Sequence, residues 1–148
     1  MRKNKILVPT PPCFETVLTV QTGDINYGRH VGNERYLLFA QEARLRFFDS
    51  IGCSEMKFGE FGLVLAEAEL EYFHELFYGE IITIALSVDT ISRASFECFY
   101  SISVERENKK IIAAVVVTKM VCFDYTHRKV KSISEDLRAV LHHCTKGM

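Results

Sequence analysis

The sequence predicts an α+β domain in which one antiparallel sheet wraps around one long helix. The single long helical pattern, in the first third of the chain, is apolar around most of its circumference, as is typical of a buried helix. Four long segments follow it, mostly with the period of two that strands show. No repeat or linker interrupts the 148-residue chain after Pro12, which predicts a single domain.

A strand, a loop and the long helix come first along the chain. Residues 14–21 are rich in β-branched side chains and predict the strand, and the three glycines of residues 22–32 predict the loop. Asn33 is the predicted N-cap of a helix that continues to about Ser50, with Gly52 just past its end. The best-defined apolar stripe of this helix consists of Tyr36, Ala40, Ala43 and Phe47.

The rest of the chain predicts the sheet and a closing helix. In residues 66–72, apolar and acidic side chains alternate: Ala66, Ala68, Leu70 and Tyr72 are expected to face the core, and Glu67, Glu69 and Glu71 the solvent. Residues 84–88 and 98–104 repeat this alternation. The continuous apolar run of residues 111–117 predicts a central strand buried on both faces. Ser134 is expected to cap a short helix that ends near His142.

Composition narrows the class of protein. The formal net charge of −1 gives no strong field toward nucleic acid or anionic membranes, and no apolar run reaches the length of a membrane span. Five scattered cysteines without a Cys-x-x-Cys pair argue against a disulfide framework and a zinc knuckle. We therefore expect a cytoplasmic protein without nucleic-acid or membrane partners, with a flexible tail at residues 1–13 and one domain at 14–148.

The junction between loop and helix resembles a known motif. Many hotdog-fold acyl-CoA and acyl-ACP thioesterases carry Asp-x-Asp-x-x-Gly-His-Val-Asn-Asn-x-x-Tyr, continued by a helix that ends Glu-Glu-Ala-Arg. The matching residues here are His30, Val31, Asn33, Arg35, Tyr36, Glu42, Ala43 and Arg44. The resemblance, to the 4-hydroxybenzoyl-CoA thioesterase-like group, covers about residues 14–141. It implies a hotdog fold, an antiparallel sheet wrapped around one long central helix, and hydrolysis of an acyl thioester.

The chemistry of thioester hydrolysis gives this junction a physical meaning. A thioester carbonyl gains negative charge when it is attacked, and the unpaired amides at a helix start are pre-aimed donors for that charge. Gly32 is expected to leave the backbone accessible, and the resemblance implies that the backbone amide of Asn33 is the donor. A nearby carboxylate would then activate water or attack the carbonyl directly.

Two alignments of the loop give different catalytic residues. Aligned on His30 without gaps, the carboxylate that most relatives use falls on Asn26, and the first glutamate of Glu-Glu-Ala-Arg falls on Gln41. Both are neutral amides. With two extra residues allowed, the loop resembles the Asp-x-Asn-x-His of plant-type acyl-ACP thioesterases. We prefer this alignment, in which Asp24 activates water while Asn26 and His30 position it; the alternative is that all three only shape the loop.

Other candidate residues carry a plain structural alternative. Glu42 is a reserve carboxylate facing the acyl group, or else the partner of Arg46 or Arg35 in an ion pair. Tyr36 is expected to contact the substrate. Arg93 and Ser95 resemble a basic-x-Ser-Phe turn that lies near the coenzyme A phosphates in relatives; the alternative is an ordinary hairpin turn. No histidine has metal-ligand spacing, so no metal is expected.

The leading functional hypothesis is therefore an acyl-CoA or acyl-ACP thioesterase of fatty acid metabolism. It needs no cofactor beyond the coenzyme A or phosphopantetheine of its substrate. The resemblance also implies a homodimer or a dimer of dimers. Asn26 and Gln41 favour an alternative, a non-catalytic protein that binds acyl thioesters. A hotdog dehydratase is a third possibility, although the loop-helix junction argues against it. The acyl group is left open.

Overall fold

A six-stranded antiparallel sheet packs against one long helix in the computed structural model, which describes residues 5–145. The order along the chain is strand, long helix, five strands and a closing helix. The elements are β1 (Phe14–Thr19), α1 (Arg35–Ser50), β2 (Gly62–Tyr72), β3 (Ile81–Asp89), β4 (Ser95–Arg106), β5 (Lys109–Asp124), β6 (Lys129–Val130) and α2 (Glu135–Thr145). A short 3-10 turn, Thr22–Asp24, follows β1.

The sheet has the order β1-β3-β4-β5-β2, and the short strand β6 pairs with β5. The hairpin between β4 and β5 turns at Glu107 and Asn108, which both have positive φ angles. Residues 113–118 of β5 are buried, which confirms the predicted central strand, and the inward side chains of β3 and β4 are buried as their alternation predicted. The α+β fold with one helix against one antiparallel sheet is therefore confirmed.

The predicted apolar stripe of α1 faces the sheet. Tyr36, Ala40, Ala43 and Phe47 are all buried, and the two alanines are fully inaccessible. The helix is less buried on its outer side than the sequence suggests, because Leu38 and Leu45 are exposed there. This arrangement fixes the start of α1 near the ends of β2 and β4 and the beginning of β3.

Strand β2 is an edge strand, and this changes the expected burial. Its register with β5 sets Ala68, Leu70 and Tyr72 opposite Thr118, Val116 and Ala114, so the two faces are as predicted. Ala66 and Ala68 are nevertheless exposed, because β2 has no second neighbouring strand in the described part of the chain and Ala66 lies at a break in the register. Glu71, which was expected to face solvent, is buried, so that part of the prediction is wrong.

The N-terminal segment explains the burial of Glu71. The backbone amides of Lys5 and Ile6 both donate hydrogen bonds to Glu71 Oε1, at 2.9 and 2.8 Å. Ile6 packs with Val115 and Val117 on the outer face of the sheet, away from α1. Residues 5–12 contain no helix or strand, yet this part of the predicted flexible tail is docked on the sheet.

A buried polar network ties α1 to the sheet. Arg44 faces the core and is only 2% exposed. It forms an ion pair with Glu55 in the connection to β2, and its Nη1 donates to Tyr100 Oη at 3.0 Å. Tyr100 Oη in turn lies 2.7 Å from Thr118 Oγ1. Burial raises the pKa of the Tyr100 hydroxyl, so this group stays protonated.

The closing helix α2 packs against the end of the sheet that is remote from the start of α1. Leu141 is fully buried in the main core. The Leu137 amide donates to Ser134 Oγ at 3.3 Å, as expected for the predicted cap. The Arg138 guanidinium donates to the carbonyl oxygens of Ser92 and Arg93 in the turn between β3 and β4.

Candidate functional site

The loop before α1 folds back on itself as a tight turn. Ile25 and Val31 form an isolated antiparallel bridge, and the Asn26 amide donates to the His30 carbonyl at 3.0 Å. Asn26 Oδ1 accepts a hydrogen bond from the Gly28 amide at 2.8 Å, so the Asn26 side chain shapes the turn. These bonds hold His30 beside the start of the helix.

Asp24 connects the beginning of this loop with the helix. Its Oδ2 accepts a hydrogen bond from the Gln21 amide at 2.8 Å, and its Oδ1 lies 3.5 Å from Arg35 Nε. The Asp24 carbonyl accepts a hydrogen bond from the Gly32 amide at 3.1 Å. The Asp24 side chain is only 17% exposed, and both its carboxylate oxygens face local partners. The predicted role of Asp24 as base stays a prediction.

The helix starts later than expected. Glu34 is the N-cap residue and Arg35 begins α1, so the prediction that Asn33 is the cap is wrong. No side chain caps this end. The Asn33 carbonyl instead accepts a hydrogen bond from Tyr72 Oη at 3.0 Å, which fixes the residue against the end of β2. Gly32 is buried and its amide already donates a hydrogen bond. The accessible backbone that was expected at Gly32 therefore lies at Asn33, which is exposed.

The backbone amide of Asn33 is free. The Gly32 amide, just before it, donates to the Asp24 carbonyl, and the Arg35 amide, two residues after it, donates to the Gly32 carbonyl at 2.9 Å. Within residues 5–145, the Asn33 amide donates to no protein acceptor. An unpaired, exposed N–H next to a helix start is suited to bind an oxygen that carries negative charge.

A depression of about 220 Å³ opens beside Asn33. It lies between the loop, the first turn of α1 and the chain that leaves β2, and its lining residues are His30, Val31, Asn33, Tyr36, Tyr72, Phe73, His74 and Glu75. The Tyr36 ring is buried and meets the Tyr72 ring edge-on, with the ring centroids 5.1 Å apart. The depression thus combines an aromatic wall with a free backbone donor.

His30 and Glu75 form the ionisable pair of this depression. His30 Nε2 lies 3.3 Å from Glu75 Oε2, and His30 Nδ1 lies 3.1 Å from the Val31 carbonyl oxygen. The Val31 carbonyl and the Glu75 carboxylate both accept hydrogen bonds. A proton can therefore lie between the His30 imidazole and the Glu75 carboxylate. Their side chains are 30% and 62% exposed, which leaves room for water. The sequence pattern did not single out Glu75.

The segment that carries Glu75 is anchored by Arg106. The guanidinium donates to the Glu75 carbonyl oxygen at 2.7 Å, pairs with both carboxylate oxygens of Glu80, and lies over the Phe77 ring. The hydrogen bond from Arg106 lowers the pKa of Glu80 below its ordinary value, so this anchor persists at mildly acidic pH. It fixes the backbone on one side of the depression.

Tyr72 donates its hydrogen bond to Asn33 as a neutral phenol. Partial burial raises the pKa of Tyr72, and the nearby Glu34 carboxylate raises it further. A protonated Tyr72 hydroxyl keeps the Asn33 carbonyl occupied and orients the peptide bond between Asn33 and Glu34. The alternating pattern placed Tyr72 on the core-facing side of its strand, and the structure adds this hydrogen bond to Asn33.

Three other predicted residues lie outside the depression. Glu42 forms an ion pair with Arg46, at 2.8 Å, which matches the structural alternative. Arg93 donates to Ser132 Oγ, and Ser95 Oγ pairs with Ser92 Oγ, both in the turn before β4. Ser95 begins β4, and Arg106, which contacts Glu75, is the last residue of β4. A strand of 12 residues is roughly 36 Å long. Within one chain, Arg93 and Ser95 are therefore remote from Asn33.

Residues 5–145 contain neither a candidate metal site nor a candidate membrane-spanning helix. Residues 5–145 contain no group of three or more His, Cys, Asp or Glu side chains that could hold a metal ion. In the same range, no helix is both long enough and apolar enough to cross a membrane.

Several solved structures share this fold. The thioesterase Slr0204 from Synechocystis, which acts on 1,4-dihydroxy-2-naphthoyl-CoA, is 22% identical with a TM-score of 0.78, covering 87% of this chain and 95% of its own. A hypothetical protein from Aquifex aeolicus is 28% identical with a TM-score of 0.75, covering 86% and 98%. Protein SAV2348 from Staphylococcus aureus, solved in complex with CoA, is 18% identical with a TM-score of 0.81, covering 98% and 90%.

Comparison of sequences gives the family. No protein of curated function matches the chain in sequence. The family model described as the thioesterase-like superfamily matches residues 20–141, which include the loop, α1 and all the long strands after it. This match spans most of the chain and agrees with the fold. The chain therefore belongs to the thioesterase-like superfamily.

Proposed function

We propose that the protein hydrolyses an acyl-CoA thioester at the depression beside Asn33, releasing a carboxylic acid and free coenzyme A. The observation that carries this proposal is the free backbone amide of Asn33, a residue next to the start of α1 that lines the same depression as His30 and Glu75. The Synechocystis relative acts on a CoA thioester and the Staphylococcus aureus relative was solved with CoA, which supports coenzyme A over a carrier protein.

The reaction follows from the chemistry of the lining residues. The Asn33 amide donates to the carbonyl oxygen and stabilises the charge that develops when water attacks. His30 and Glu75 orient this water and accept its proton. Collapse of the tetrahedral intermediate then breaks the carbon–sulfur bond, and the proton held by the pair passes to the leaving thiolate. The aromatic wall of Tyr36 and Tyr72 is proposed to contact the acyl group.

The first test is turnover of a panel of aromatic and aliphatic acyl-CoAs by the purified chain, followed by the release of free thiol. Measurable hydrolysis of at least one of them is expected. Binding without turnover would instead support the alternative, a non-catalytic acyl-thioester-binding protein, which is favoured by the amides Asn26 and Gln41 and by the engagement of Asp24 with Gln21 and Arg35.

The identity of the base can be tested by matched variants. We expect His30→Ala and Glu75→Gln to lower kcat about a hundredfold, the usual contribution of general acid–base catalysis. His74→Ala, which removes the other histidine of the depression, is the control and should change kcat little. Asp24→Asn should affect thermal stability more than kcat. A folded Asp24→Asn protein without turnover would return the role of base to Asp24.

We also propose that two copies join their sheets along β2. Within residues 5–145, the only strand that pairs with β2 is β5, and residues 65–69 are exposed along the free edge of β2. An unpaired edge of this length is a template for a second strand. The turn containing Arg93 and Ser95 could then reach the substrate only from the partner copy. Light scattering on the eluting protein should give a dimer, and Ala68→Pro at this edge should yield monomers.

A further inference from the structure

Glu75 depends on its backbone for its place at the depression. Its side chain is 62% exposed, and the only hydrogen bond or ion pair of its carboxylate within residues 5–145 is to His30 Nε2, at 3.3 Å. An exposed pair of this kind fixes its own geometry weakly, because water competes for both partners. The position of the Glu75 peptide therefore decides whether the carboxylate stays beside the imidazole.

The chain on either side of Glu75 is held by two other parts of the fold. Before it, the His74 amide donates to the Ala113 carbonyl of β5 at 3.1 Å. After it, the Leu76 side chain is fully buried, and the Leu76 carbonyl accepts a hydrogen bond from the Val31 amide at 2.9 Å. The segment thus contacts both β5 and the loop before α1, and Glu75 lies between these two anchors.

Arg106 makes the only hydrogen bond to the Glu75 backbone in the described part of the chain. Its Nη2 donates to the Glu75 carbonyl oxygen at 2.7 Å. The guanidinium is itself fixed, because it donates to both carboxylate oxygens of Glu80, and Glu80 Oε1 also accepts a hydrogen bond from the Phe77 amide at 2.9 Å. The side chains of Arg106 and Glu80 are 28% and 21% exposed. A partly buried, forked pair of this kind has a well-defined geometry.

We propose that Arg106 is a positioning residue for the hydrolysis: through the Glu75 carbonyl, it holds the Glu75 carboxylate against the His30 imidazole. This role rests on the proposed function, in which the pair of His30 and Glu75 accepts the proton of water. Arg106 does not line the depression, so it acts through Glu75 and not on the substrate. A displacement of about 1 Å in a catalytic group can lower a rate roughly a hundredfold, so such an anchor affects catalysis.

The kinetic test is a double-mutant cycle between Arg106 and Glu75. Arg106→Met is expected to lower kcat for acyl-CoA hydrolysis by roughly tenfold with little change in KM, because the base is displaced while the depression keeps its lining. Arg106→Lys should recover only part of the loss, since an ammonium lacks the planar fork that reaches Glu80 and the Glu75 carbonyl together. In a Glu75→Gln background, Arg106→Met should lower kcat little further, because the two residues act as one unit.

Arg46→Met is the matched control for the loss of an anchoring arginine. Arg46 also pairs with a glutamate, Glu42, and it also donates to a backbone carbonyl, that of Val17, at 3.1 Å. It lies in α1 and does not line the depression. Its replacement should leave kcat unchanged. Thermal melts of every variant show that the protein is folded.

Nuclear magnetic resonance of the free protein tests the same role without turnover. The proton and nitrogen resonances of the His30 ring report whether the Glu75 carboxylate lies beside Nε2, and Glu75→Gln gives the direction of the change when it does not. Arg106→Met should shift the His30 resonances in this direction, whereas Arg46→Met should leave them in place. If Arg106→Met does not fold, Glu80→Gln, which weakens the hold on Arg106, should give a smaller shift of the same direction.

The two measurements separate this role from the proposed function. If no acyl-CoA is hydrolysed but Arg106→Met shifts the His30 resonances, Arg106 positions Glu75 and the proposed function alone is wrong. The positioning role is overturned if the folded Arg106→Met protein leaves the His30 resonances in place or is as active as the unaltered protein. It is also overturned if Arg46→Met has the same effects, or if the losses in kcat from Arg106→Met and Glu75→Gln are fully additive.

Discussion

Asn33→Pro is expected to lower kcat for thioester hydrolysis by about 10² to 10³, because proline removes the one backbone N–H that the proposed reaction uses. This is the usual effect of deleting a single oxyanion donor from an enzyme. The Asn33 carbonyl, which accepts the hydrogen bond from Tyr72, is retained in the variant. Gly32 precedes the substitution and tolerates the backbone restriction that proline imposes on its neighbour. Initial rates with the best acyl-CoA of the panel measure the effect.

Asn33→Ala is the matched control, since it removes the side chain and keeps the amide. Its kcat should stay within a few-fold of that of the unaltered protein. Thermal melts of both variants show whether α1 still forms. If both variants lose the same fraction of kcat, or if Asn33→Pro is folded and fully active, the Asn33 amide is not the donor.

Glu55→Ala is expected to destabilise the fold by about 3 kcal/mol, because it leaves the Arg44 guanidinium charged, buried and without its carboxylate. For a domain of this size, the Tm should fall by roughly 6–12 °C. Arg44→Met combined with Glu55→Ala should recover part of the loss, since the buried charge is then absent. Thermal unfolding followed by circular dichroism gives all three values.

Glu60→Ala controls for the loss of an acidic residue from the same connection between α1 and β2. Glu60 is exposed, so its replacement should change the free energy of unfolding by no more than about 0.5 kcal/mol. Equal effects of Glu55→Ala and Glu60→Ala would mean that the buried pair contributes nothing specific.

The fold could be predicted because its signals are local and periodic. The stripe of α1 and the alternation in β3 and β4 depend on spacing alone, and burial follows that spacing. The failures occurred where burial depends on distant segments. Glu71 is buried because residues 5 and 6 donate hydrogen bonds to it, and Ala68 is exposed because β2 is an edge strand. Neither fact is encoded near those residues.

The candidate site was located by the loop-helix junction, but its membership was only partly predicted. His30, Asn33 and Tyr36 line one depression. Glu75 was missed, because it reaches the depression through the return of the chain after β2, and Tyr72, which was placed only on the core-facing side of its strand, lines the depression too. The sequence offered one signal for Glu75: the alternating pattern ends at Tyr72, just before His74 and Glu75.

Asp24 has contacts that the sequence did not predict. The motif requires a carboxylate near the helix start, and Asp24 provides one in sequence. In space, its two oxygens face the Gln21 amide and the Arg35 guanidinium, and these contacts organise the loop. A catalytic role for Asp24 stays a prediction, which the Asp24→Asn variant tests, and the panel of acyl-CoAs addresses the identity of the acyl group. The cytoplasmic location also stays a prediction.

A crystal structure with a non-hydrolysable acyl-CoA analogue would show whether a thioester carbonyl binds at the Asn33 amide. We expect the analogue's carbonyl oxygen about 3 Å from the Asn33 nitrogen, with the acyl group against Tyr36 and Tyr72. An analogue bound with its carbonyl elsewhere, for example in the groove that Ile6 and Val115 line on the outer face of the sheet, would contradict the proposed reaction.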